Sequence, residues 1–331
     1  MENRESQFNQ EIEARKRLFE KIRILKEKFP DIGIVLNGMR PIEKKIEVCN
    51  IAEPSAMQFR PKNAEEMRKL AMEIKETAQN TSLHLNDPKF NEETGEMDEA
   101  GKREIIEIIN EAGNLDNFKI ATIHLGWKNA ESVIDEEGKW KNTDLANKAA
   151  SELADLFLAG IKADKTMAIE NTGHVDETRE ILGTKPEHLM ASREKIAEVI
   201  SKKENISIEE VLSKIGFTFD AGHAVKNARN LQENSIENWF QKLGENIKLL
   251  HIHDVLSKDG LPDRDLPEGD KNSYQPEHKA LGRGIIDWKE FFELKKRYCP
   301  DVPMILELNN DGDGRKTAQS IEYLEKLYSE K

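Results

Sequence analysis

Short apolar runs, most of them ending on a carboxylate or an imidazole, recur along this chain with amphipathic helical segments between them. Two-residue turns join antiparallel strands, whereas parallel strands need a crossover of a dozen or more residues, usually a helix. The alternation therefore predicts a largely parallel sheet covered by helices. Eight runs fit: DIGIVLN from residue 31, IEVCN at 46 to 50, TSLHLN from 81, FKIATIHLG from 118, KTMAIEN from 165, IGFTFDAGH from 215, IKLLHIHDV from 247 and VPMILELNN from 302. Eight strands suggest a closed (β/α)8 TIM barrel over residues 31–331, with an open sheet as the alternative. Between them, Asn63 and Glu66 read as a capping box ahead of Met67, Leu70, Ala71 and Ile74. Thr143 opens a helix carrying Leu145, Ala149, Leu153 and Leu156, and Ile321, Leu324 and Leu327 mark the last one.

Two places depart from a plain barrel. Residues 1–30 read as an N-terminal helical extension, and 174 to 215 hold two helices, about 189–202 and 207–214, as a helical insertion after the fifth strand. Only GMRPIEKK separates the first two candidate strands, too little for a crossover helix, so one element there is misassigned.

Composition narrows the function. The 331 residues carry a net charge of −13, which repels polyphosphate and weighs against nucleic acid as a partner. The N-terminus lacks a signal-peptide core, and no run of about 18 apolar residues occurs, so the reading is a cytoplasmic protein without membrane contact. Cys49 and Cys299 lack metal or redox spacing and read as buried reduced thiols.

Glu170 poses the chemical question: it ends MAIE, where a buried carboxylate needs a compensating cation or donor. Asp220 ends FTFD, His251 ends LLH and Glu307 ends MILE. In a parallel barrel these four strand ends share one face. Three carboxylates beside one imidazole repel each other unless a cation joins them, so the set predicts one divalent metal, with manganese, magnesium, cobalt and zinc left open. The alternative is four separate polar residues meeting helix N-termini or solvent. His84, His124, His223 and His253 fall at or just after strand ends and read as substrate contacts or hydrogen-bonded core histidines; His278 lies in the loop before the last strand. Trp127 reads as a pocket wall or as packing. GRG at 282 to 284 reads as a turn before a helix at Asp287 and Trp288, and DGDG at 311 to 314 as a loop and cap without the full calcium-loop spacing.

From about Ile46 to Leu327 the motifs SLHLN, TIHLGW, AIENTGH, FTFDAGH, LLHIHD, EHKALGRGIIDW, ILELNN and SIEYL occur in an order that resembles the xylose isomerase-like barrels. That family contains sugar isomerases and epimerases and an apurinic endonuclease branch. The resemblance implies one metal on Glu170, Asp220, His251 and Glu307, the two glutamates as acid and base, and His223 against a small sugar substrate. The implied chemistry is proton transfer through an enediolate stabilised by the metal. The endonuclease branch is the rival, since His84, His124, His223 and His278 match its ligands for further zinc ions. Pro276 stands where that branch has an aspartate, and His253 where it has asparagine. A third alternative is a barrel that binds metal or sugar without catalysis.

Overall fold

In the computed structural model, eight parallel strands close into a barrel in sequence order, with the first pairing the last. They are β1 Ile32–Val35, β2 Ala56–Phe59, β3 Asn80–His84, β4 Phe118–His124, β5 Thr166–Glu170, β6 Ile215–Asp220, β7 Ile247–Ile252 and β8 Met304–Leu306. The structure describes residues 2–35, 46, 50, 53–74, 80–173, 179–227, 235–256, 277–308 and 314–329. Among these the helices are α1 Glu2–Lys28, α2 Ala64–Glu73, α3 Glu99–Gly113, α4 Asp144–Lys162, α5 Pro186–Glu204, α6 Ile208–Ser213, α7 Ala221–Asn227, α8 Ile236–Leu243, α9 Trp288–Tyr298 and α10 Arg315–Ser329. None of them is long and apolar enough to cross a membrane.

The second strand is not where the apolar run predicts it. Ile46 and Asn50 have helical backbone, and β2 is Ala56–Phe59. The reason is geometric. A parallel neighbour of β1 can pair only after a crossover, and residues 36 to 55 supply that length. Gln58, a polar residue in the middle of AMQF, hides the strand from a hydrophobicity reading.

Burial on both faces explains why these strands read as continuous apolar runs. On β6, Phe217 and Phe219 point outward, and Phe219 meets Trp239 at 5.6 Å and Phe240 at 5.2 Å between ring centroids on α8. Each such aromatic contributes about 1.5–3 kcal/mol of burial free energy. The inward positions divide into layers. Val35, Ala56, Leu249 and Ile305, with Ile120 against them, make an apolar plug. Thr122 and Thr218 join above it, their hydroxyls 2.8 Å apart. The next inward residues, toward the strand C-termini, are the ionisable ones.

Helix ends follow local chemistry. The side chain of Asn63 accepts from the Glu66 amide at 2.9 Å, while Glu66 reaches back to the Lys62 amide, one residue before the position a capping box predicts. Thr143 caps α4 through the Ala146 amide, and Pro186 begins α5 at a position that needs no N–H donor. Of the two helices read as an insertion, α5 packs between α4 and α8 as the ring's own helix, so the short α6 is the added piece. At the N-terminus, α1 buries Leu18, Ile22 and Leu25 in the same core as the ring helices, and Lys28 pairs with Glu325 of α10. Cys299 is buried with a free thiol. Cys49, Pro276 and residues 311–313 lie outside the described residues.

Candidate metal centre

The barrel brings the four strand-end residues together. One ligand atom each from Glu170, Asp220, His251 and Glu307 lies within 4.8 Å of the others, and all four side chains are buried. Register explains the convergence: Asp220 stands opposite His251 across the β6–β7 pair, and His124 opposite Glu170 across β4–β5. Nδ1 of His251 lies 2.7 Å from Glu170 Oε1, 3.1 Å from Glu307 Oε2 and 3.8 Å from Asp220 Oδ2. Burial opposes the charge of each glutamate, but the imidazoles, His251 foremost, hold both well below the usual carboxylate range. Burial likewise opposes a charge on His251, and Glu170 and Glu307 override it and raise its proton affinity well above the ordinary value.

The imidazoles around the three buried carboxylates still leave atoms unpaired. Among the described residues, Glu170 Oε2, Glu307 Oε2 and His251 Nε2 have no hydrogen-bond partner although they are shielded from solvent. Such orphaned atoms call for an occupant. His84 sharpens the point. Its Nδ1 lies 2.9 Å from the Leu85 carbonyl oxygen, which only accepts, so Nδ1 carries the hydrogen and Nε2 turns a lone pair toward Glu170 Oε2 at 3.0 Å. Two lone pairs at that separation repel unless a proton or a cation lies between them. The residues present therefore fit a divalent cation: mixed oxygen and nitrogen donors, buried, with hydrogen bonds from neighbours that orient them.

Further histidines surround this set. His84, His124 and Glu170 form a second group able to hold an ion, and His223, His253 and His278 a third. Nδ1 of His223 donates to the Asn171 carbonyl at 3.0 Å and Nδ1 of His278 to that of Glu307 at 2.8 Å, so both keep an Nε2 lone pair free of the backbone. Burial lowers His278 to about 4, with His253 as a second cause, and burial also lowers His124. His253 differs. Its Nε2 sits 3.1 Å from Asp220 Oδ1, and its Nδ1 lies 3.0 Å from the His278 amide nitrogen and 3.3 Å from the Asp254 carbonyl oxygen, so both nitrogens are engaged. Gly222 permits this arrangement, because a Cβ there would lie 2.0 Å from His253 Cε1.

Trp127 is buried, packs edge-on against Phe90 at 5.1 Å and donates its indole N–H to the Asn129 carbonyl and the Ser132 hydroxyl. Asn171, which was not singled out from the sequence, latches the site: its amide accepts from the Asp220 N–H at 2.7 Å and donates to the Asp220 carbonyl at 2.8 Å. The one signal for it was its place directly after Glu170. A cavity of about 620 Å³ opens elsewhere, between residues 130–141 and 180–188, and none of the cluster residues lines it.

Residues 45–327 match the family described as xylose isomerase-like TIM barrel. The chain belongs to that family. Solved structures similar to this family member include a D-tagatose 3-epimerase-like protein, 22% identical with a TM-score of 0.58, covering 90% of this chain and 97% of that one. A probable 3-DHS dehydratase from Bacillus anthracis is 12% identical at a TM-score of 0.58, over 88% and 98%. An IOLI protein with a bound zinc atom is 13% identical at 0.52, over 90% and 96%. At these identities the likeness shows the shared barrel. No curated protein matches the sequence.

Proposed function

We propose that the protein is a divalent-metal-dependent isomerase or epimerase of a small sugar or sugar derivative. One observation carries the reading: two buried glutamates from the ends of β5 and β8 converge on the same His251 nitrogen, at 2.7 and 3.1 Å, and Oε2 of each has no hydrogen-bond partner among the described residues. A metal held by Glu170, Asp220, His251 and Glu307 would supply Lewis acidity toward neighbouring carbonyl and hydroxyl oxygens. The chain supplies the rest. One glutamate takes the proton from the carbon beside the carbonyl, and the other returns a proton. Return to the opposite face gives an epimer; return to the neighbouring carbon gives an isomer. His84 and His124, 3.0 and 3.5 Å from Glu170 Oε2, restrain that carboxylate. His223 borders both carboxylates, 3.7 Å from Glu170 Oε1 and from Asp220 Oδ2, as a substrate contact. The named similarity to an epimerase-like protein agrees with this chemistry. The test is deuterium exchange: keto sugars incubated in deuterated water with the manganese-, magnesium-, cobalt- or zinc-loaded protein should gain deuterium at one carbon. Absence of both exchange and turnover with all four metals overturns the reading.

The two further histidine groups favour a second reading, phosphodiester hydrolysis at several metals. The charge of −13 argues against a nucleic-acid substrate. Duplex DNA with an abasic site should remain intact when the protein is supplied with zinc, and efficient incision would reverse the ranking. Metal analysis separates the two independently: one ion per chain supports the isomerase, two or three the hydrolase.

A further inference from the structure

Gln58 lies inside the barrel with no bonding partner among the described residues. Ala56 belongs to the apolar plug, and alternation along β2 turns Gln58 to the same interior, one layer nearer the strand C-termini where the carboxylates stand. Met57 and Phe59 face the outer core. Across the sheet Gln58 is in register with Val35 on β1 and Ser82 on β3, and Ser82 is followed two residues on by His84, which borders Glu170. The side chain is fully buried, yet among the described residues neither its Nε2 nor its Oε1 has a hydrogen-bond partner. Buried amides left unpaired are rare because each atom forfeits its bonds to water. Of its in-register neighbours, Val35 is apolar, and the Ser82 hydroxyl, which donates to the Met57 carbonyl, makes no bond to the amide.

We propose that the Gln58 amide grips a hydroxyl group of the substrate and is the specificity-determining contact on the β1–β2 side of the site. An amide offers a donor and an acceptor together, which matches a hydroxyl that both accepts and donates. A carbonyl, a phosphate or a methyl group would leave one half of it unpaired. The carboxylates and histidines come from β3 to β8 and the segments that follow them, so Gln58 is the polar side chain that β2 turns toward the interior. This deepens the sugar reading above and rests on it.

The experiment compares wild type with Gln58→Met and Gln58→Leu, metal-loaded, on D-fructose, D-tagatose and their 1-deoxy and 6-deoxy analogues, by calorimetric binding and by turnover. Wild type should bind one deoxy analogue about tenfold more weakly than its parent sugar, and the variants should lose that preference while binding the analogue as before. KM should rise for the parent sugar with little change in kcat, and metal content should stay the same. Unchanged selectivity in both variants while wild type turns over sugar overturns the role of Gln58 and leaves the isomerase reading standing. Binding with wild-type selectivity but without turnover overturns the isomerase reading and leaves Gln58 standing. No binding of any of these sugars overturns both. A crystal structure of wild type with D-tagatose provides the check that needs no variant: a substrate hydroxyl on the amide supports the assignment, and an amide bonded to water or protein refutes it.

Discussion

At the scale of single residues, the cluster assigns separable tasks. Asp220→Asn removes an anionic ligand, so divalent-metal affinity should drop by tenfold or more in titration calorimetry; unchanged affinity would exclude Asp220 as a ligand. Glu170→Gln and Glu307→Gln, assayed after metal content is matched to wild type, should each lose at least about a hundredfold in kcat, the usual range for a general acid or base. Near-normal turnover in either would end the two-glutamate mechanism. Gly222→Ala tests the support around them. Its Cβ has no room beside His253, so that ring must move away from Asp220, and metal binding should weaken although no ligand has changed. Cys299, whose thiol burial pushes up to about 11, should resist alkylation at neutral pH until the protein is unfolded.

Among the elements, α9 shows how local chemistry positions the face that carries the cluster. Asp287 accepts from the Lys289 and Glu290 amides at 3.0 Å each and starts the helix that leads into β8 and Glu307. Asp287→Ala should cost about 1 kcal/mol in urea unfolding, with activity retained; no loss would mean the cap is redundant. GRG is the turn ahead of that cap, with Gly282 at φ +75°. Asp254 ties it down, accepting from the Trp288 indole at 3.1 Å and from the Val255 amide at 2.9 Å. Strands and helices that carry regular apolar spacing were legible, including α4 from its Thr143 cap. The second strand was not, because Gln58 interrupts it and IEVCN offers a better apolar run.

For the whole molecule, metal and pH are the levers. A cation that relieves three converging carboxylates binds the folded chain alone, so excess manganese should raise the melting temperature and EDTA should reverse the gain. At a hundredfold excess over Kd the stabilisation is about 2.7 kcal/mol. Indifference to every divalent ion would remove the metal centre. His188 sets a separate pH dependence away from the site. Burial lowers it to about 4, with Glu180 partly offsetting, while the unfolded chain titrates near 6.5. Above that value the ring is neutral in both states. As pH falls from about 6.5 to 4 the unfolded chain takes up the proton first, so this part of the stability is lost across that window. Unfolding free energies at several pH values in this range should fall less steeply for His188→Gln than for wild type, and parallel slopes would contradict the assignment.

The alternation of apolar runs and helices by itself determined a largely parallel sheet covered by helices, because parallel strands need crossovers and crossovers are usually helices. It also located Glu170, Asp220, His251 and Glu307, since an ionisable residue ending an apolar run is visible one residue at a time. Closure of the sheet decided what they do together: only the β1–β8 pairing and the register of β5 to β8 bring those side chains within 4.8 Å. Tertiary structure alone also set the partners of each ring: Nδ1 of His84, His223, His253 and His278 all lie against backbone carbonyls, and His253 turns its Nε2 to Asp220. A tautomer depends on which carbonyl or amide lies beside the ring, and those partners come from distant positions in the chain. The same holds for Gln58, an ordinary polar residue in sequence that becomes a buried amide without partners among the described residues once β2 takes its place in the barrel.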